Sequence, residues 1–210
     1  MQSFKSFLNE ETHTIRFDIG VPESVEDLAE LTEVYNKGPQ IYVPGCKIEG
    51  AFFATNSKIK NFKNGPSYVR KEIMADRCRE LESLEGMCDS GSYVSLERCD
   101  KLTTLEHIPN VIQGWLNINF CSSLETLKHF PKAIMGALYI RECNEIRNVM
   151  RLLMCHQIFR FDFEKDFPEN PQLSEALTII AKNYKKSGDA DILECKAELI
   201  ENGLSDYAKL

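Results

Sequence analysis

The sequence predicts an α/β solenoid: a short curved parallel sheet of about five to six rungs, with a strand/helix cap before it and a two-helix cap after it. Three observations predict this. First, Cys78, Cys99, Cys121 and Cys143 follow one another at intervals of 21, 22 and 22 residues. Each opens the same phrase: Cys78-Arg-Glu-Leu81-Glu-Ser-Leu84, Cys99-Asp-Lys-Leu102-Thr-Thr-Leu105, Cys121-Ser-Ser-Leu124-Glu-Thr-Leu127 and Cys143-Asn-Glu-Ile146-Arg-Asn-Val149. Second, an alternating apolar pair precedes each cysteine (Ile73/Ala75, Val94/Leu96, Leu116/Ile118, Leu138/Ile140), the period of a short strand. Third, Pro109 and Pro131 stand 10 residues after their cysteines, with Cys88 in that place in the shortened unit, and Gly114 and Gly136 supply permissive backbone before the next strand.

Taken in order, residues 1–11 place Phe4, Phe7 and Leu8 on one helical face, in a segment too short and too polar for a secretory signal. Leu8-Asn9-Glu10 also resembles the capsid-targeting peptides of internal head proteins of large contractile-tailed phages, which a prohead protease cuts after Glu in a Leu/Ile-x-Glu motif. The resemblance implies a phage origin and a cleavage site at Leu8, Glu10 and Glu11; an amphipathic helix docked on the body is the alternative. Residues 12–43 read as the N-terminal cap. Ile15, Phe17 and Ile19 alternate as a strand, Ser24 and Asp27 have capping-box spacing ahead of a helix with Val25, Leu28, Leu31 and Val34, and Gln40 to Val43 lead in as a strand.

Residues 44–165 form the repeat region. Counting 22 back from Cys78 reaches Asn56, which puts Asn in the cysteine column, Pro66 in the proline column and Ala51/Phe53 as the apolar pair. At the other end the cysteine is lost, but Gln157 to Phe163 reads as a strand with Ile158 or Phe159 as the sixth rung. Residues 166–210 form the C-terminal cap. Leu173, Leu177, Ile180 and Tyr184 mark one helix, Leu193, Ala197 and Ile200 a second, and Leu204, Tyr207 and Leu210 an apolar last turn.

One such unit cannot bury its own apolar edge and is stable only when stacked. The column of Asn56, Cys78, Cys99, Cys121 and Cys143 is then a structural ladder of small side chains turned inward where the backbone leaves the strand. Leu116-Asn-Ile118-Asn-Phe-Cys121-Ser-Ser-Leu124 and Leu138-Tyr-Ile140-Arg-Glu-Cys143-Asn-Glu-Ile146 resemble the leucine-rich repeat family, closest to its cysteine-containing variants. That resemblance covers residues 44–150 and implies an architecture that builds binding surfaces; it is silent on activity.

Composition narrows the class. With 43% hydrophobic and 27% charged residues, the chain of 210 residues fits one soluble domain with a sizeable core. No run of 18 apolar residues occurs, so no membrane partner is expected. The net charge of −7 argues against a dedicated nucleic-acid binder. Four of the eight cysteines sit in one column with no CxxC pair, which predicts reduced buried thiols, no metal and a reducing cytoplasm; the resemblance of residues 1–11 to capsid-targeting peptides implies that this is the host cytoplasm, or else a virion head interior.

Function is expected on the strand face. Residues between the core pairs point outward and align into columns, bringing Tyr93, Trp115 and Tyr139 together with Asn117, Asn119 and Arg141, as a concave protein-binding patch or as packing over the rung edges. No P-loop, GxGxxG, HExxH or GxSxG is present, so no catalytic residue and no cofactor are expected. The leading reading is a monomeric, non-enzymatic phage protein that binds a protein partner of host or phage. The alternative is an internal virion protein packaged through its N-terminal peptide, and the third is a hydrolase using a cysteine such as Cys155 beside His156.

Overall fold

The computed structural model describes residues 47–89, 92–163, 169–184 and 191–210, together with Gly45 and the backbone of 7–8, 15–16 and 24–25. Parallel strands stack as a β-solenoid. Its main sheet contains β5 (Phe52–Phe53), β7 (Glu72–Met74), β8 (Tyr93–Ser95), β10 (Leu116–Asn117), β11 (Ala133–Tyr139) and β12 (Gln157–Asp162) in sequence order, so about five turns of chain separate six stacked strands. A seventh strand, β9 (Val111–Ile112), pairs with the start of β11. A second parallel sheet joins β3 (Ser24–Val25), β4 (Lys47–Ile48) and β6 (Tyr68–Val69), and β1 (Phe7–Leu8) pairs antiparallel with β2 (Ile15–Arg16).

Register fixes the core. Phe52, Ile73, Val94, Leu116, Leu138 and Phe161 are directly paired along the main sheet, and all but the half-buried Phe161 are buried. Two residues further on, Ala54, Ala75, Leu96, Ile118 and Ile140 form a second buried row. A third row precedes the main strands: Ile48 with Val69, and Ile112 with Ile134 and Ile158. The matching positions of the intervening turn, 90–91, lie outside the described residues.

The segment after each cysteine is a tight turn. Leu81, Leu102, Leu124 and Ile146 each donate their N–H to the carbonyl of the cysteine three residues back, at 2.9, 3.1, 3.1 and 3.2 Å. A second turn of the same kind follows at Met87, Ile108 and Phe130. Only the last unit winds into a continuous 3-10 helix, Val149–Met154.

Each turn also carries a left-handed residue. Asn56, Arg77, Arg98, Phe120 and Glu142 have φ of 59, 59, 60, 60 and 52°. Such a backbone costs a non-glycine residue about 1–2 kcal/mol. The cost is offset by the ladder, because the N–H groups of Asn56, Arg77, Arg98 and Phe120 bond the next turn's carbonyls at 2.6 to 3.0 Å. It also turns the following side chain inward. The Cys78, Cys99, Cys121 and Cys143 thiols donate to the Ala54, Ala75, Leu96 and Ile118 carbonyls at 2.9, 3.2, 3.1 and 2.9 Å.

Several expectations need correcting. In the first turn the ladder residue is Ser57, whose buried hydroxyl lies 3.2 Å from Cys78 Sγ, whereas Asn56 is exposed. The frame is displaced by one because Phe52 pairs with Ile73; the core pair is therefore Phe52/Ala54, and Phe53 points outward. At the far end Phe161 continues the core column, Ile158 belongs to the row before it, and Phe159 is exposed. Ser24–Val25 is extended and extends the edge of β4, so Ser24 does not cap a helix there, and Phe7–Leu8 is extended rather than helical. Residues 40–43 lie outside the described residues.

Two helices follow the last strand. In α1 (Pro171–Asn183) the Asn170 side chain caps the first turn by accepting from the Leu173 N–H at 3.0 Å, with Pro171 just inside. Asp191 does the same for α2 (Ile192–Glu201), accepting from Glu194 N–H at 2.9 Å. Leu173, Leu177, Ile180, Cys195 and Leu199 are buried, and both helices pack on the 3-10 segment, where Met150, Leu152 and Leu153 are buried. Leu210, expected in the apolar last turn, is exposed.

Candidate functional site

Three outward rows cross the main sheet. The central one is Phe53, Met74, Ser95, Asn117, Tyr139 and Asp162. The row two residues earlier runs Glu72, Tyr93, Trp115, Ala137 and Arg160, and the row two residues beyond runs Asp76, Glu97, Asn119 and Arg141. Tyr93 and Trp115 have ring centroids 5.3 Å apart at 37°, and Trp115 meets Tyr139 edge-on at 6.2 Å and 86°. All three rings are half-buried. The stack depends on Gly114, since a Cβ there would lie 2.2 Å from Tyr93 Cε1.

A polar network runs beside the rings. Asp76 accepts from Ser95 Oγ and from the Glu97 N–H at 3.0 Å, yet burial still pushes its carboxyl above the ordinary range. Asn117 donates Nδ2 to Glu97 Oε2 at 3.1 Å and accepts the Asn119 N–H at 3.0 Å. Asp162 is gripped by Arg141 and by Arg160, the latter at 2.6 Å, and the bond from Arg141 is the main cause of its lowered pKa. Asn119 is 9% exposed, and no donor among the described residues reaches its Oδ1. A buried amide oxygen left unbonded costs about 1–3 kcal/mol.

Of the residues expected at the site, Tyr93, Trp115 and Tyr139 are brought into contact and Asn117 lies in the adjoining row. Asn119 is buried beneath the surface instead of lying open on it, and Arg141 is engaged with Asp162. Glu10 and Glu11 lie outside the described residues, and Leu8 falls in β1. Sequence reasoning missed Asp162 and Arg160, because 23 residues, not 22, separate Tyr139 from its partner Asp162. The alternation of Phe159, Phe161 and Phe163 signalled the strand but not its frame.

The thiols are placed for packing. Cys78, Cys99, Cys121, Cys143, Cys155 and Cys195 are buried free thiols. Burial raises the column thiols, Cys121 to about 12, and they remain protonated at neutral pH. Cys155 is likewise pushed up to about 11 by burial, and its Sγ lies 3.3 Å from the Gln157 carbonyl while the neighbouring His156 is exposed. Among the described residues no group of three or more His, Cys, Asp or Glu side chains is placed to hold a metal ion, and no helix is long and apolar enough to cross a membrane. Compared with protein-family models, curated proteins and solved structures, the chain matches none.

Proposed function

We propose that this chain is a non-enzymatic, leucine-rich-repeat-like phage protein, working as a monomer in the host cytoplasm, whose outward sheet face binds a protein partner. Its N-terminal strands and C-terminal helices act as caps on the open ends of the stack. The observation that carries the reading is the half-buried trio Tyr93, Trp115 and Tyr139, with the Asn117 amide in the adjoining row. Rigid aromatic rings next to amides with bonding capacity are what a protein-binding hot spot is made of.

The test begins with a pull-down from infected cells to identify the partner. Trp115→Ala combined with Tyr139→Ala is expected to weaken that partner by about 2 kcal/mol or more without unfolding the chain. A double variant that binds at full affinity places the contact elsewhere.

A second reading, packaging into a phage head, rests on Leu8-Asn9-Glu10 in the sequence. Mass spectrometry of purified particles is then expected to find the chain starting at Glu11; particles without it count against packaging.

A further inference from the structure

The opposite border of the main sheet, where the left-handed turns lie, carries a surface of different character. An open groove of about 800 Å³ runs across the first three turns, lined by Lys58, Arg77, Arg79 and Arg98, with Glu80 the one carboxylate among the described lining residues. The chain as a whole carries −7, so this concentration of cations runs against its average. Glu80 is neutralised by Lys101, and the lowered pKa of its carboxyl comes chiefly from that bond. Among the described residues Arg79 and Arg98 make only loose ion pairs, at 3.9 Å with Asp100 and 3.7 Å with Glu97. Lys58 and Arg77 form no ion pair among the described residues.

The placement follows from the coil. Asn56, Arg77 and Arg98 occupy the same left-handed position on successive turns, so Arg77 and Arg98 start from backbones about 5 Å apart. An extended peptide presents alternate side chains on one face about 6.6 Å apart, within reach of two such arginines. Guanidinium groups recognise carboxylates through paired N–H donors. Bases of a nucleic acid would need an exposed ring to stack on. The ring at this position, Phe120, is covered by the Arg98 guanidinium at 4.4 Å.

We propose that this groove is a second docking surface, taking an extended acidic peptide segment of a protein partner, with Arg77 and Lys58 as its principal contacts. The surface is separate from the aromatic face and stands or falls independently of it.

Fluorescence anisotropy of a labelled oligoglutamate peptide, titrated with the full chain, tests the proposal. Saturable binding that weakens as salt is raised is expected. Lys58→Glu with Arg77→Glu should weaken it at least about tenfold. Lys58→Ala with Arg79→Ala leaves every left-handed position unchanged and should weaken it at least about threefold, which guards against misfolding of the first variant. Lys196→Glu with Lys209→Glu, the same charge change on the C-terminal elements, should leave binding as in the original chain. The proposal is overturned by absence of saturable binding, by groove variants that bind as well as the original, by an equal loss in the control pair, or by tighter binding of an oligothymidylate of matched charge.

Discussion

Asp76 and Asp162 lie on the same face and respond to pH with opposite signs. Burial raises the folded pKa of Asp76 above 3.8, so its contribution is fully present below that value and is lost as pH rises through the folded pKa. Asp76→Asn keeps an oxygen for Ser95 and the Glu97 N–H and removes the buried charge. It is expected to raise Tm at neutral pH, with the gain closing below pH 3.8. Asp162 has a lowered folded pKa, so its stabilisation is present above 3.8 and is lost as pH falls through that lowered value. Asp162→Asn should therefore lower Tm at neutral pH and lose its effect in strong acid. Thermal melts of both variants across the acid range check the two signs together; parallel curves would contradict this assignment of charge and burial. The difference between the carboxylates was invisible in sequence, because burial under the stacked turns sets the sign at Asp76 and an arginine 21 residues away sets it at Asp162.

Among the elements, the two repeated glycines each let the backbones of adjacent turns approach closely. A Cβ on Gly136 would meet the Gly114 carbonyl oxygen at 2.5 Å and its carbon at 2.7 Å, both backbone atoms of the adjacent turn. A Cβ on Gly114 would meet the Tyr93 ring at 2.2 Å and also the Ser92 carbonyl oxygen, a backbone atom of the adjacent turn, at 2.6 Å. Gly136→Ala is thus expected to destabilise the chain by about 2–3 kcal/mol in urea melts. Gly114→Ala should cost a similar amount and in addition shift Trp115 fluorescence by displacing Tyr93 from its stack; a melt and a fluorescence spectrum left unchanged by Gly114→Ala would contradict this account. The strand rows and cysteine turns were legible because apolar alternation and column spacing both report a repeating coil. The left-handed positions were not. Arg77, Arg98, Phe120 and Glu142 lack the glycine or asparagine that normally marks such backbone, and the stacked ladder holds them there.

For the whole molecule, stability passes from turn to turn, and the far end depends on what covers it. Leu152, Leu153 and Met150 are buried where α1 and α2 pack on the last turn, and Tyr184 adds a hydroxyl bond to the Cys155 carbonyl at 3.0 Å. Removing residues 169–210 should expose that apolar surface and the ring of Phe161, which Tyr184 meets at 5.0 Å. The shortened chain is expected to aggregate, or to lose the cooperative urea transition of the full chain. A truncated chain that stays monomeric and melts as before would show that the helices are accessories.

From sequence alone came the repeated unit, the inward cysteine column and the two C-terminal helices, because each is written in spacings that local geometry must obey. The tertiary structure alone decided the frame of the first and last turns, the choice of Ser57 over Asn56, the burial of Asn119 and the pairing of Arg141 with Asp162. These depend on which turn lies against which. One added or missing residue reassigns every partner across the stack while leaving the local pattern intact.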